Sequence, residues 1–279
     1  MGSAFALGFM RMAGAAGLFA SVALSSLGVY MMYRRMVFVG LALAQVATLG
    51  AALGTVLGWP ATITALVATI AAATALGLLN APRGVPSEAL VGWSYAFAAA
   101  GTILVLARSA VGHEYAMDLF FGNILFVTQA EVWALAGVAA LVVATLCLWS
   151  RQLLAAVVDP DSARAAGLAA TRWILLLHVE IGVAVAVSLT ALGALVTFAL
   201  LVLPAVLALL LARRAKGTVV MAATIAVAAS GLTLLLSYDW DLPTGPLTVC
   251  GLALLAAPAF VLKLARARTE GPPARGGRR

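Results

Sequence analysis

The sequence predicts an all-α, polytopic membrane protein of about nine transmembrane helices, with eight as the alternative count and one short helix on the cytoplasmic side. Three observations carry that fold class. The 279 residues are 64% hydrophobic and 10% charged, where a soluble domain carries about 25% charge. Mean hydropathy is +1.11, and the apolar residues fall into runs near the ~20 residues that cross a hydrocarbon core as a helix. Between those runs lies one polar interlude, Arg151–Arg172 (RQLLAAVVDPDSARAAGLAATR). Asp159, Asp161, Arg164 and Arg172 would each cost roughly 2.5–3.5 kcal/mol at a bilayer centre, so the interlude belongs outside the membrane.

Taken in order, Phe5–Tyr33 exceeds one span, and its first turns are expected in the interface. The apolar run after Arg11 is too long for the core of a cleavable signal, so a retained span is expected. Arg34-Arg35 closes it on the cytoplasmic side. Val37–Leu57 is the second span, ended by the turn Gly58-Trp59-Pro60, and Ala61–Leu79 is the third. Asn80–Gly84 returns to the cytoplasm, and Ala89–Ala107 is the fourth span, with Trp93 and Tyr95 as packing or interfacial residues. Arg108–Thr128 reads as an outer interfacial or re-entrant piece. Val132–Ser150 is the fifth span and leads into the interlude. Trp173–Leu189, Leu192–Ala212, Val219–Leu236 and Pro246–Leu262 are the sixth to ninth, with Ser237–Gly245 as an outer loop. Pro204 is expected to bend the seventh. Residues 1–268 thus form one membrane domain, and 269–279 form a Gly/Pro/Arg-rich, disordered cytoplasmic tail attracted by anionic lipid.

The net charge of +7 comes from 17 basic and 10 acidic residues. The basic residues sit at span ends, which is the positive-inside pattern of a multi-pass membrane protein with its N-terminus outside (the alternative being an N-terminus inside), and not a nucleic-acid face. Cys147 and Cys250 lie in apolar runs, which argues against a disulfide or a thiolate metal site. Within the interlude, Asp159 reads as a helix cap and Pro160 as the first helical residue. A short helix over Ser162–Leu168 follows, ended by Gly167. It is either a solvated connector or an element that a cytosolic partner grips. Inside the spans, Gln45, His178 and Glu180 are the polar groups that need partners or line a pathway. His178 and Glu180 are two residues apart and so point about 200° from each other on a helix. His113, Glu114, Asp239 and Asp241 are outer-face candidates.

Three segments in order resemble the membrane subunits of ABC importers for zinc and manganese. Leu119–Leu125 (LFFGNIL) is similar to their LFG-D-I-L pattern, with Asn123 for the Asp. Val158–Leu168 (VDPDSARAAGL) resembles D-P-E-x-A-R-x-x-G-L. Leu195–Pro204 (LVTFALLVLP) and Ser237–Pro246 (SYDWDLPTGP) resemble L-L-V-x-x-L-L-x-x-P and S-Y-x-x-D-L-P-x-G. The resemblance implies an ATP-driven importer of a divalent metal such as zinc, manganese or iron. It implies two permease copies (a homodimer), a cytosolic ATP-binding subunit on each and an extracytoplasmic binding protein that delivers cargo. It makes region 151–172 the coupling region, with Asp159, Pro160, Asp161, Ala163, Arg164 and Gly167 as its matching positions. No Walker A sequence occurs in this chain, so the resemblance puts ATP and Mg on the partner and makes this subunit no enzyme.

The second span departs from the family. There the permeases read G-D-A-L-S-H-A, whose Asp and His suit a divalent cation; here Gly40–Val46 reads GLALAQV. Leu41 cannot ligate, and Gln45 is a poor zinc ligand, so no metal-ligand set is assigned. Two other readings stay open. One is a stand-alone secondary transporter. The other is a partner permease whose cargo is a chelate or a non-metal solute.

Overall fold

The computed structural model describes residues 8–78, 86–107, 119, 122, 124–212 and 215–269. The return Asn80–Gly84, the outer residues His113, Glu114, Asp118 and Asn123, the pair Arg213-Arg214 and the tail Glu270–Arg279 lie outside them. Among the described residues there is no strand, and nine helices are long and apolar enough to cross a membrane. They are α1 (Gly8–Tyr33), α2 (Val37–Leu57), α3 (Ala61–Leu78), α4 (Ser87–Ala107), α5 (Gln129–Val158), α7 (Ala170–Leu192), α8 (Ala194–Leu211), α9 (Ala215–Trp240) and α10 (Thr244–Thr269). The short helix α6 (Pro160–Ala165) joins α5 to α7, and a 3-10 turn at Ile124–Phe126 precedes α5.

Most boundaries fall where the hydropathy places them, and the exceptions have local causes. Helix α5 starts at a capping box: the Thr128 N–H donates to Glu131 Oε2 at 2.8 Å, and the Glu131 N–H donates back to Thr128 Oγ1 at 3.3 Å. It then continues past Ser150 to Val158, about 45 Å at 1.5 Å per residue. The expected span end is marked instead by a break at Trp149 (φ −124°, ψ 19°). The Trp149 ring meets that of Trp173 on α7 at 6.1 Å. The seventh span starts at Ala194 because Gly193 (φ 82°) ends α7. Helix α9 runs through Ser237 to Trp240, so the outer loop shrinks to a tight turn with Asp241 at φ 52°. Helix α10 runs on to Thr269.

Three helices form the centre. Helix α1 packs against α5, α7, α8 and α9; α7 against α1, α2, α3, α5 and α8; and α8 against α1, α2, α7, α9 and α10. Helices α3, α4 and α10 turn most of their surface outward, and α4 packs chiefly on α2. The core is rich in small residues, among them Ala16, Ala20, Ala23, Ala184 and Ala186. Lipid tails remove the hydrophobic drive between helices, so close van der Waals packing must replace it. The tightest approach is α1 on α8: a Cβ on Gly28 would run into the Leu201 carbonyl oxygen. Buried hydroxyls bond back to the preceding turn, as Thr48 does to the Ala44 oxygen (2.8 Å) and Thr69 to the Ala65 oxygen (2.6 Å).

The end of the bundle that carries Arg34, Arg35, Arg151, Arg172, Lys263 and α6 is the cytoplasmic end by the positive-inside rule. Gly28→Val should destabilise the chain by about 1–3 kcal/mol through overpacking. On α5, Gly137 has nothing within 4 Å of an added Cβ, so Gly137→Ala should shift stability by less than about 1 kcal/mol, in the favourable direction. Thermal unfolding of both variants in detergent checks the contrast.

Candidate functional site

Helix α6 is built as the sequence suggests. Asp159 caps it: its carboxylate accepts from the Ser162 N–H at 3.1 Å and from the Ser162 hydroxyl at 2.6 Å. Those bonds, the hydroxyl first, hold the exposed Asp159 carboxyl below the usual carboxylate range. Pro160 occupies the first turn. The helix begins at Pro160, directly after the expected cap at Asp159, and ends at Ala165, short of the expected Leu168. Gly167 follows at φ 83° in open space, so its role is backbone conformation.

The faces of α6 divide cleanly. Ala163 is buried in a small cluster with Ala156 of α5 and Ala170 and Ile174 of α7. Asp161 and Arg164 point away and pair with each other at 2.6 Å, with most of both side chains in solvent. Ala163 is therefore an anchor, while Asp161 and Arg164 present the outer surface.

On α2, the stretch Gly40–Val46 separates by face. Gly40, Ala42, Leu43 and Ala44 are buried. A Cβ at Gly40 would press on the Leu201 and Met31 side chains. Leu41, Gln45 and Val46 are partly exposed, and Leu41 and Gln45 share a face at i, i+4. The Gln45 amide oxygen is nonetheless buried with no hydrogen-bond donor. Three of the four buried positions, Gly40, Ala42 and Leu43, keep the residues of the family pattern; the buried Ala44 replaces its Ser, and the partly exposed Leu41, Gln45 and Val46 differ as well.

His178 and Glu180 face opposite sides of α7, as their spacing requires. The Nδ1 of His178 lies 2.8 Å from the Ile174 carbonyl oxygen, so Nδ1 carries the hydrogen and Nε2 of the neutral ring is an acceptor. His178 lines a cleft with residues of α2, α3 and α4. Glu180 is buried on the other side, near the Thr145 hydroxyl of α5, but both its oxygens lack a hydrogen-bond partner. The two residues do not meet in one site. Among the described residues no three His, Cys, Asp or Glu side chains come together.

On the outer side, Asp239 and Asp241 are exposed. The neighbouring motif residues hold the turn between α9 and α10. The Ser237 hydroxyl donates to the Leu242 oxygen at 2.6 Å and lies 2.9 Å from Thr244 Oγ1. Thr233 and Thr248 join α9 to α10 one turn further in, at 2.8 Å. Sequence reading missed the Thr128–Glu131 box, whose T-x-x-E signal was there to find, and the Trp149–Trp173 contact, which no local pattern announces.

The profile of the ABC 3 transport family matches residues 6–263. The chain belongs to that family. It is 27% identical to the manganese import system permease protein ScaB of Streptococcus gordonii, over 86% of either chain. It is 26% identical to the chelated iron transport system membrane protein YfeD of Yersinia pestis, over 92% of this chain and 86% of that protein. Its fold matches a chain of PsaBC from Streptococcus pneumoniae, solved with a Fab, with a TM-score of 0.81 over 91% of each chain at 23% identity. This ABC 3 permease is thus a multi-pass membrane protein whose helical fold recurs in its relatives.

The Asp159 cap gives a pH signature for α6. A carboxyl lowered in the folded state contributes its stability at neutral pH and loses it as pH falls through that lowered value, below the usual carboxylate range. Amide exchange at Ser162 should stay protected at neutral pH and open in that acid window. Asp159→Asn should keep the cap and remove the pH response, whereas Asp159→Ala should fray the helix throughout.

Proposed function

We propose that this chain is the membrane-spanning subunit of an ATP-driven importer in the bacterial cytoplasmic membrane, and that its cargo is a divalent transition metal. The observation that carries the reading is α6: a rigid, capped helix, anchored through Ala163 to α5 and α7 and offering a charged face to the cytosol, within a chain of the ABC 3 family. A cytosolic ATP-binding subunit grips that face and supplies ATP and Mg, while an extracytoplasmic binding protein delivers cargo to the outer ends, where Asp239 and Asp241 are exposed. His113 and Glu114 are the other candidates for that contact. Two copies of the chain enclose the pathway. The names of its relatives, a manganese permease and a chelated-iron permease, support a metal cargo.

The α2 face favours a second reading of the cargo. Leu41 and Gln45 offer no charged ligand where the resemblance places carboxylate and imidazole, so the solute that passes is a chelated metal or one held by neutral donors. Gln45 and Glu180 are the residues we assign to the pathway, Glu180 because its carboxylate is buried with no cation beside it and only the Thr145 hydroxyl nearby. His178 faces the other side of α7, into the cleft at the cytoplasmic end, and is not assigned to the pathway.

The deciding experiment is ATP-driven accumulation in proteoliposomes holding this chain, its ATP-binding subunit and its binding protein. Zinc, manganese, iron, cobalt and nickel are counted by elemental analysis, free and chelated. Accumulation of one of them supports the importer, and ATP hydrolysis with no metal entry overturns the metal reading. Arg164→Glu should leave thermal stability unchanged while cutting transport per ATP at least about tenfold, the effect of replacing an attractive contact with a like-charge one. The pair Leu41→Asp with Gln45→His should shift preference toward the free cation. Unchanged selectivity would remove α2 from the pathway.

A further inference from the structure

A cleft opens at the cytoplasmic end of the bundle, between the α1–α2 turn, the start of α2, α3, the start of α4 and α7. Its polar lining is Arg35, Glu88 and His178, and Phe38, Leu90 and Val91 belong to its apolar wall. Arg35 ends α1 as the left-handed residue (φ 60°) of a Schellman cap, in which its N–H donates to the Met32 oxygen at 3.0 Å and the Met36 N–H to the Met31 oxygen at 3.0 Å; the cap fixes where the Arg35 side chain leaves the helix. No carboxylate among the described residues pairs with it. Next to it, the Arg34 Nε is buried with no acceptor. His178 is only 3% exposed and commits Nδ1–H to the Ile174 carbonyl, which leaves Nε2 as an acceptor in the cleft.

The cleft therefore offers one cationic donor, one carboxylate and one neutral nitrogen acceptor above an apolar wall. It lies at the depth of the inner-leaflet headgroups, where Arg34 and Arg35 mark the interface, and Phe38, 65% exposed, faces outward. Helix α4 packs chiefly on α2, so the apolar side is accessible from the lipid. We propose that this cleft binds a zwitterionic phospholipid with a primary ammonium headgroup, of the phosphatidylethanolamine class. Its phosphate accepts from the Arg35 guanidinium. Its ammonium donates to Glu88 and to the His178 Nε2, and an acyl chain lies along Phe38, Leu90 and Val91. A phosphatidylcholine headgroup has no N–H to give those two acceptors, and a phosphatidylglycerol headgroup has no cation to face Glu88. The site goes beyond the transport reading and does not depend on the cargo.

The test is native mass spectrometry and thermal unfolding of the full chain, purified in detergent and given phosphatidylethanolamine, phosphatidylcholine or phosphatidylglycerol. Phosphatidylethanolamine should be retained about tenfold better than phosphatidylcholine, the ratio for one charge-assisted hydrogen bond, and should raise the melting temperature most. Glu88→Gln should bring that ratio close to one while the chain still folds, because Glu88 is exposed. Arg35→Asn suits the left-handed backbone and should weaken both lipids alike. Equal retention of the three lipids, preference for phosphatidylglycerol, or a preference that survives in Glu88→Gln would overturn the proposal. So would stabilisation by zinc or manganese that vanishes in Glu88→Gln, which would make the cleft a cation site.

Discussion

The approach of α1 to α8 at Gly28 is the contact on which the rest of the bundle depends. In water, burial of apolar surface would hold nine helices together with side chains of many shapes. Between lipid-facing helices that drive is absent, and what remains is dispersion at short range and the few hydrogen bonds that cross between helices. Gly28 lets the α1 backbone reach the Leu201 carbonyl. The alanines along α1 and α7 repeat the same strategy with one extra carbon. Because α1, α7 and α8 meet at close range, the outer helices can attach by one or two faces each and leave the others to lipid or to a second chain.

That constraint explains what could be read from the sequence. Nine spans follow from hydropathy because hydrocarbon forces each crossing to be a helix of fixed minimum length. The interlude and its cap at Asp159 were legible because capping is local chemistry: Asp, Pro and Ser sit within four positions. The opposite orientation of His178 and Glu180 followed from helix geometry alone. The break at Trp149 was not legible, since nothing within α5 requires it and its partner Trp173 lies on another helix. The role of Ala163 was equally hidden. The family pattern groups it with Arg164, and only packing separates the buried anchor from the exposed surface.

The α2 stretch shows the same separation at the candidate pathway. Gly40, Ala42 and Leu43 keep the residues expected from the resemblance, and each is buried against neighbouring helices. Leu41 and Gln45, which differ, lie on the partly exposed face. Ala44, which stands where the pattern has Ser, is buried as well, and both residue types are small enough for the packed side. A sequence comparison blind to faces would score this stretch as a weakened motif. The structure places the matching residues Gly40, Ala42 and Leu43 on the buried side and Leu41 and Gln45 on the partly exposed one.

The placement of α6 bears on how work done in the cytosol could reach that lining. Ala163 touches α5 and α7 together, and α7 is one of the three central helices, in contact with α2. A push on Asp161 and Arg164 would therefore pass to the centre through packed helices and not through a loop. Close packing resists continuous deformation, so displacement of α7 is resolved by shifting whole helices. The stiffness that replaces the hydrophobic drive in the membrane is also what would let a short helix at its edge act on the pathway.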